Sequence, residues 1–139
     1  MPDLQTAQRH IAIDCNVGRA LAFVGDAHNL PAWTYFFRKE IENESGRIRF
    51  ETPIGECVTR IQTKRGADWA VARILSRFER GEESALMRFI GTGTGQTVAS
   101  FHATFPPELP HNKRTALLEQ LERELLRLKT ILELKESAE

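Results

Sequence analysis

The feature that most constrains the fold is a change of periodicity along the chain. From residue 38 to residue 105 the sequence consists of short segments in which apolar and polar residues alternate, separated by glycine and charged turns. After prolines at positions 106, 107 and 110, leucines and isoleucines recur at three- and four-residue steps. Alternation is typical of half-buried strands, and the second spacing is typical of an amphipathic helix. The chain is therefore predicted to form an antiparallel sheet followed by one long helix.

The segments predict about seven strands and three helical segments. The predicted strands cover residues 9–15, 38–42, 47–50, 57–64, 68–76, 84–90 and 96–105. Asn16 is a suitable N-cap for a short helix over residues 17–25, and Pro31 stands near the start of a second short helix. The leucine-rich segment predicts a helix over residues 112–133, roughly 33 Å long at the rise of an α-helix. A coiled-coil dimer helix is the less favoured interpretation, because the apolar stripe is wider than a strict heptad seam.

Length and charge exclude several classes of protein. A chain of 139 residues fits one domain over residues 1–139, burying roughly two thirds of its unfolded surface. Nineteen basic residues balance nineteen acidic ones, so no overall field attracts nucleic acid or an anionic membrane. The polar N-terminus is unlike a signal peptide, and no run approaches the ~20 apolar residues that span a bilayer. We expect a cytoplasmic protein that binds no nucleic acid and does not insert into membranes.

Cysteine, histidine and glycine give no sign of a metal or cofactor site. Cys15 and Cys57 stand far apart, outside any metal-ligand spacing, and are interpreted as small buried residues. None of the four histidines has a carboxylate or thiol partner at a triad spacing, and His102 falls on the polar face of its strand. The glycines at 91, 93 and 95 are followed by a strand, which favours a hairpin loop over a phosphate-binding loop. We predict no cofactor, no metal and no catalytic residue.

An antiparallel sheet of this size has one apolar face that must be covered. A helix about 10 Å wide does not seal a curved sheet of six or seven strands. A cavity between the long helix and the sheet is the expected consequence. Rings and aliphatic side chains around a few polar groups would suit an apolar ligand.

Three stretches of the sequence carry a resemblance to a known family. They are IAIDCNVGRALAFVGDAHNLPAWT with Asp26 and Trp33, PIGECVTRI, and LLEQLERELLRLKTILE. Together they resemble the START and polyketide cyclase superfamily, also called SRPBCC, which includes plant pollen allergens. The resemblance extends over residues 8–134 and implies an α+β helix-grip fold. In this fold a curved antiparallel sheet of six to seven strands wraps around a long C-terminal helix, with two short helices after strand one.

The resemblance implies binding of a hydrophobic or aromatic small molecule, including lipids, for transport, sequestration or sensing. Some branches of the superfamily catalyse cyclisation or dehydration. Small relatives carry Asp-His where this chain has Asp68-Trp69, so the acid/base histidine is missing and binding is favoured over catalysis. The alternatives are a cyclase or dehydratase-like enzyme using Arg73, Glu56 or Tyr35, and a protein-interaction module that uses the exposed sheet face, as in heat-shock ATPase activator relatives. Relatives often form dimers, so the resemblance is compatible with a homodimer.

The candidate ligand-binding residues lie on the apolar faces of the strands and in the second short helix. They are Trp33, Tyr35, Phe36, Phe50, Thr59, Trp69, Arg73, Met87, Phe89 and Phe101. The segment 68–76 is ambiguous, because both of its faces contain apolar residues. If its larger residues point inward, Arg73 lies in the cavity and needs a carboxylate such as Glu56 or an anionic ligand group. If they point outward, Arg73 is solvated. Arg60 and Arg88 are expected at the surface.

Overall fold

The computed structural model describes residues 5–79, 81–105 and 108–137, with side chains described as far as residue 134. In chain order the elements are β1 (Gln5–Ile13), α1 (Val17–Val24), a 3₁₀ turn (Ala27–Asn29), α2 (Leu30–Trp33), β2 (Lys39–Glu44), β3 (Arg47–Thr52), β4 (Gly55–Arg65), β5 (Trp69–Phe78), β6 (Gly81–Gly91), β7 (Thr97–Phe105) and α3 (His111–Ser137).

The strands form one antiparallel sheet in the order β1-β7-β6-β5-β4-β3-β2. Strands β2 to β7 are a meander in which each strand pairs with the next along the chain, and β1 pairs with β7. Short turns connect neighbours in such a sheet, which agrees with the glycine and charged turns of the sequence. The predicted fold class, a seven-stranded antiparallel sheet with a long C-terminal helix and short helices after strand one, is confirmed.

The ends of most elements differ from their predicted positions by one to four residues, and β1 and the C-terminal helix differ most clearly. The first strand runs over Gln5–Ile13 rather than 9–15, because Gln5 pairs with Phe105 and Ile13 with Thr97 on β7. The Cys15 amide N–H then donates to the Ile13 carbonyl at 2.9 Å, which turns the chain out of the sheet. The C-terminal helix begins one residue earlier than predicted and continues to Ser137.

The three α-helices cover the same face of the sheet, here called the inner face. Helix α3 packs on β1 and β7, α1 packs on β5 and β6, and α2 contacts α3. Four leucines of α3 are buried at three- and four-residue steps: Leu121, Leu125, Leu128 and Leu132. No helix in the described part of the chain is long and apolar enough to cross a membrane.

Polar contacts hold α3 against the edge strand β1. The Arg9 guanidinium lies 2.7 Å from the Glu122 carboxylate. The Lys129 ammonium donates to the Ala12 carbonyl at 2.9 Å, and Glu133 accepts from the Asp14 amide at 2.9 Å. These contacts lie at the surface, so they orient the helix more than they stabilise it.

Several local predictions are confirmed. The Asn16 side chain accepts from the Arg19 amide at 2.8 Å and caps α1. Cys15 and Cys57 are both buried, as expected. The glycine run lies in the β6–β7 loop, where Gly93 and Gly95 have positive φ angles that favour glycine.

We expect α3 to stabilise the fold through its buried stripe. Replacing the fully buried Leu128 by alanine should lower the free energy of unfolding by about 2–5 kcal/mol, because it removes packed methyl groups and leaves a cavity. Leu126, 57% exposed on the same helix, is the matched control, and Leu126→Ala should change stability by less than about 0.5 kcal/mol. Equal losses in urea unfolding would contradict the described packing of α3.

Candidate functional site

Six of the ten predicted ligand-binding residues face the space between the sheet and the helices. Trp33, Phe50, Thr59, Met87 and Phe89 are 0% exposed, and Phe101 is also buried. Trp33, Phe50, Met87 and Phe89 have no accessible surface, so no cavity large enough for a water molecule adjoins these four residues. At these residues the space in which a cavity was expected is filled by side chains.

Helix α1 explains why the interior closes. This helix packs over β5 and β6 with four buried residues: Val17, Ala20, Leu21 and Val24. The sheet is lined below α1 by small residues, including Ala70 and Ala72. Small side chains allow a helix to approach closely and leave little empty volume.

Trp69 and Arg73 lie on the other face of the sheet, which corrects their placement in the interior. In β5 the buried residues are Ala70, Ala72, Ile74 and Ser76, while Trp69 and Arg73 are exposed. The close approach of α1 explains this orientation, since the larger set would not fit below it. The indole of Trp69 instead lies over Gly66 in the β4–β5 turn, where a Cβ on Gly66 would be 2.1 Å from the indole nitrogen. Glu56 is exposed as well.

Tyr35 and Phe36 belong to the segment that connects α2 to β2. Tyr35 is 47% exposed, and the Arg127 guanidinium carbon lies 4.9 Å from the centre of its ring. Phe36 is half-buried and meets Phe37 and Phe78 edge-on, with ring centres 5.1 and 6.0 Å apart. Phe37 in turn meets Phe50 at 5.2 Å. We call these four phenylalanines the aromatic cluster.

The hydroxyl of Thr59 already has partners within the protein. Its oxygen lies 2.8 Å from the Ser76 hydroxyl and 3.3 Å from the Cys57 sulfur. Burial raises the pKa of the Cys57 thiol, and its hydrogen bonds to Thr59 and Ser76 oppose that shift. These three side chains therefore form a satisfied polar group that links β4 to β5.

Glu124 is the candidate residue that sequence reasoning missed. It is 2% exposed, and its Oε2 accepts from the amide N–H groups of Tyr35 at 2.7 Å and Phe36 at 3.4 Å. Burial raises the pKa of this carboxyl; the hydrogen bonds from Tyr35, Phe36 and Gln120 and the charge of Arg127 oppose the shift. A carboxylate from α3 thus holds the segment that carries Phe36 and Phe37 of the aromatic cluster.

The spacing of the leucines contains the signal for Glu124. It stands three residues after Leu121 and four before Leu128, which places it on the buried stripe of α3. A charged residue at an apolar position of an amphipathic helix is an exception to the pattern. Such an exception marks a buried group that requires partners.

Trp33 provides a second unusual polar group. Its ring lies 5.5 Å from that of Phe101, and its indole nitrogen is buried without a hydrogen-bond partner among the described residues. A buried indole N–H usually has an acceptor. The interior therefore contains an unsatisfied donor in addition to the carboxylate of Glu124. The described residues bring no three His, Cys, Asp or Glu side chains together as a metal site.

The raised pKa of Glu124 predicts a specific pH dependence. The folded protein holds the Glu124 proton more tightly than the unfolded chain, so the stability contributed by this group falls as pH rises from its ordinary value of 4.5 through the folded value. Glu124→Gln keeps an acceptor oxygen and has no charge. The variant should therefore gain stability relative to the parent protein between pH 4.5 and neutrality, measured by urea unfolding at several pH values. Glu119→Gln, at an exposed position of α3, should show no such trend, and identical trends in both variants would disprove the assignment.

Comparisons with known proteins address the fold. No family model matches the sequence, and no curated protein matches it. Solved structures do match. A START superfamily protein from Mycobacterium smegmatis is 12% identical, with a TM-score of 0.63 over 92% of this chain and 97% of its own. A hypothetical protein from Helicobacter pylori is 10% identical, with a TM-score of 0.70 over 91% of this chain and 87% of its own.

A further match is BexL, a di-domain ARO/CYC protein from a biosynthetic pathway, which is 16% identical with a TM-score of 0.66. It aligns over 93% of this chain and 46% of its own length. Identities this low establish the fold alone. The resemblance stated from the sequence is confirmed at that level: the chain has the START-like helix-grip fold.

Proposed function

We propose that this protein binds a ring-bearing small molecule with a hydrogen-bond acceptor, between the inner face of the sheet and α3. The START superfamily protein and the ARO/CYC protein that share the fold are consistent with a ligand-binding protein. The observation that carries the proposal is the indole N–H of Trp33, which is fully buried and has no acceptor in the described structure. A carbonyl or hydroxyl oxygen of a ligand would satisfy it.

Energetics favour such a ligand. A buried donor without a partner costs about 1–3 kcal/mol, and a ligand oxygen at Trp33 would recover part of that cost. The rings of Phe101 and the aromatic cluster would contact a planar ligand, since ring pairs favour offset or edge-on arrangements. Ligand sites of this kind are mostly apolar with a few placed polar groups.

A ligand can enter only if the interior opens. The segment 34–38 is the best candidate to move, because Glu124 holds it through the amides of Tyr35 and Phe36 while the Tyr35 side chain lies at the surface. Its release would expose the carboxylate of Glu124 to the ligand. Glu124 would then accept a hydrogen bond from a hydroxyl or amine of the ligand, whereas Trp33 would donate one.

The proposal predicts selective binding of a ring that carries an acceptor. The probe is prodan, a naphthalene with a carbonyl group whose fluorescence responds to hydrogen bonding. N-phenyl-1-naphthylamine, which has rings and no carbonyl, is the matched probe. Prodan should bind with one-to-one stoichiometry and about two- to tenfold more tightly than the control, the range for one neutral hydrogen bond. Failure of both probes to bind, or equal affinities, would overturn the proposal.

An isosteric substitution tests the role of Trp33 directly. The chain has two tryptophans, so Trp69→Phe is introduced first, and the remaining tryptophan is replaced biosynthetically by 3-benzothienylalanine, which has sulfur in place of the N–H. Prodan affinity should fall by about two- to tenfold, with little change for N-phenyl-1-naphthylamine. Unfolding measurements confirm that the substituted chain folds, and an unchanged prodan affinity would exclude the hydrogen bond.

A cyclase or dehydratase-like activity is the second candidate, and Glu124 favours it. A carboxyl whose pKa is raised by burial is a suitable general acid or base. Arg73, Glu56 and Tyr35 are exposed and are less suitable. If the protein turns over a polyketide-like substrate, Glu124→Gln should abolish turnover and keep prodan binding. The cytoplasmic location, the homodimer and the single domain over residues 1–139 stay predictions.

A further inference from the structure

The segment that connects α2 to β2, residues 34–38, is tied to the fold differently at its ends and in its middle. We call this segment the strap. At one end the Thr34 amide donates to the Leu30 carbonyl of α2 at 2.9 Å. At the other end the Arg38 amide donates to the Glu51 carbonyl of β3, also at 2.9 Å. Backbone hydrogen bonds therefore fix where the strap begins and where it ends.

The middle of the strap depends on two side chains of α3. The amides of Tyr35 and Phe36 donate to Glu124 and make no backbone hydrogen bond among the described residues. The guanidinium carbon of Arg127 lies 4.9 Å from the centre of the Tyr35 ring, within the range of a cation–π contact. Residues three apart are neighbours on a helix surface, so Glu124 and Arg127 hold the strap side by side.

These two contacts differ in their access to water. Glu124 is buried, whereas Arg127 is half-buried and the Tyr35 side chain is exposed. Within the described ranges, the Arg127 side chain makes no ion pair and no hydrogen bond. Its position over the ring is therefore not the by-product of a surface salt bridge.

The strap can open without unfolding the chain. An exposed cation–π contact is weak, and the amides of Tyr35 and Phe36 depend on one carboxylate. The backbone hydrogen bonds at Thr34 and Arg38 do not involve α3, so they remain when the middle separates from the helix. Segments with few such contacts open locally at low free-energy cost.

We propose that Arg127, through its contact with Tyr35, controls how often the strap opens and thereby sets the rate at which a ligand enters and leaves the interior. The inference rests on the proposed function, because the ligand is taken to lie between the sheet and α3. Arg127 acts as a positioning residue, since it contacts the strap and not the ligand. The strap is closed over both the empty and the occupied interior, so loosening it speeds association and dissociation by the same factor.

Ligand kinetics test this role with prodan as the probe. In stopped-flow fluorescence, Arg127→Gln should raise the association and dissociation rate constants by about two- to fivefold each, the value of an exposed cation–π contact. The equilibrium affinity should stay the same. Arg127→Lys keeps a cation at this position and should restore most of the slower rates. Arg123→Gln, at an exposed position one turn earlier on α3, is the matched control and should change neither rate constant.

Amide hydrogen exchange tests strap opening without any ligand. Tyr35 is the only tyrosine in the chain, so labelling with ¹⁵N-tyrosine gives a single amide signal in an NMR spectrum. Exchange at this amide should be about two- to fivefold faster in Arg127→Gln than in the parent protein, and unchanged in Arg123→Gln. It should depend on urea much less steeply than global unfolding, because opening of the strap exposes little surface.

The two experiments separate failure of this proposal from failure of the proposed function. Unchanged Tyr35 exchange in Arg127→Gln, equal effects of Arg123→Gln, or a urea dependence as steep as that of global unfolding would overturn control by Arg127. Faster dissociation with weaker affinity and unchanged association would also overturn it, since Arg127 would then contact the ligand directly. Faster Tyr35 exchange in a chain that binds no prodan would contradict the proposed function and still support control of the strap by Arg127.

Discussion

The structure depends on the burial of the leucine stripe of α3 against the inner face of the sheet. Leu121, Leu125, Leu128 and Leu132 are all at most 2% exposed, and each contributes roughly 1.5–3 kcal/mol by leaving water. That packing fixes the rotation of α3 about its axis. The rotation in turn places Glu124 next to the Tyr35 and Phe36 amides and brings Lys129 and Glu133 to the edge of β1.

The same apolar interior contains two polar groups that stability alone does not require. Glu124 uses a buried carboxylate where a leucine would continue the stripe, and Trp33 buries an N–H without an acceptor. Buried polar groups of this kind cost folding free energy unless they are paired. Both groups adjoin one segment of the chain: Trp33 immediately precedes residues 34–38, and Glu124 accepts hydrogen bonds from the Tyr35 and Phe36 amides within it. The proposed ligand site would give both groups a chemical role, whereas a purely structural core leaves the Trp33 donor unexplained.

Sequence patterns predicted the strands, the N-cap at Asn16 and the long helix because each depends on local periodicity. They did not predict the orientation of β5, since both of its faces contain apolar residues; the close approach of α1 selects Ala70 and Ala72 for the inner face. The close approach of α1 also explains why the interior is closed. Glu124 was detectable from its spacing to Leu121 and Leu128, but its partners depend on a loop almost ninety residues earlier in the chain.

The central claim is that the space between α3 and the sheet opens to hold a ring-bearing molecule. Native mass spectrometry of the protein as purified from cells tests it most directly, followed by identification of any molecule released on denaturation. The account predicts a single passenger per chain that contains a ring and an oxygen acceptor. A chain that carries no passenger, and whose melting temperature does not change with a panel of lipids and polyphenols, would contradict the account.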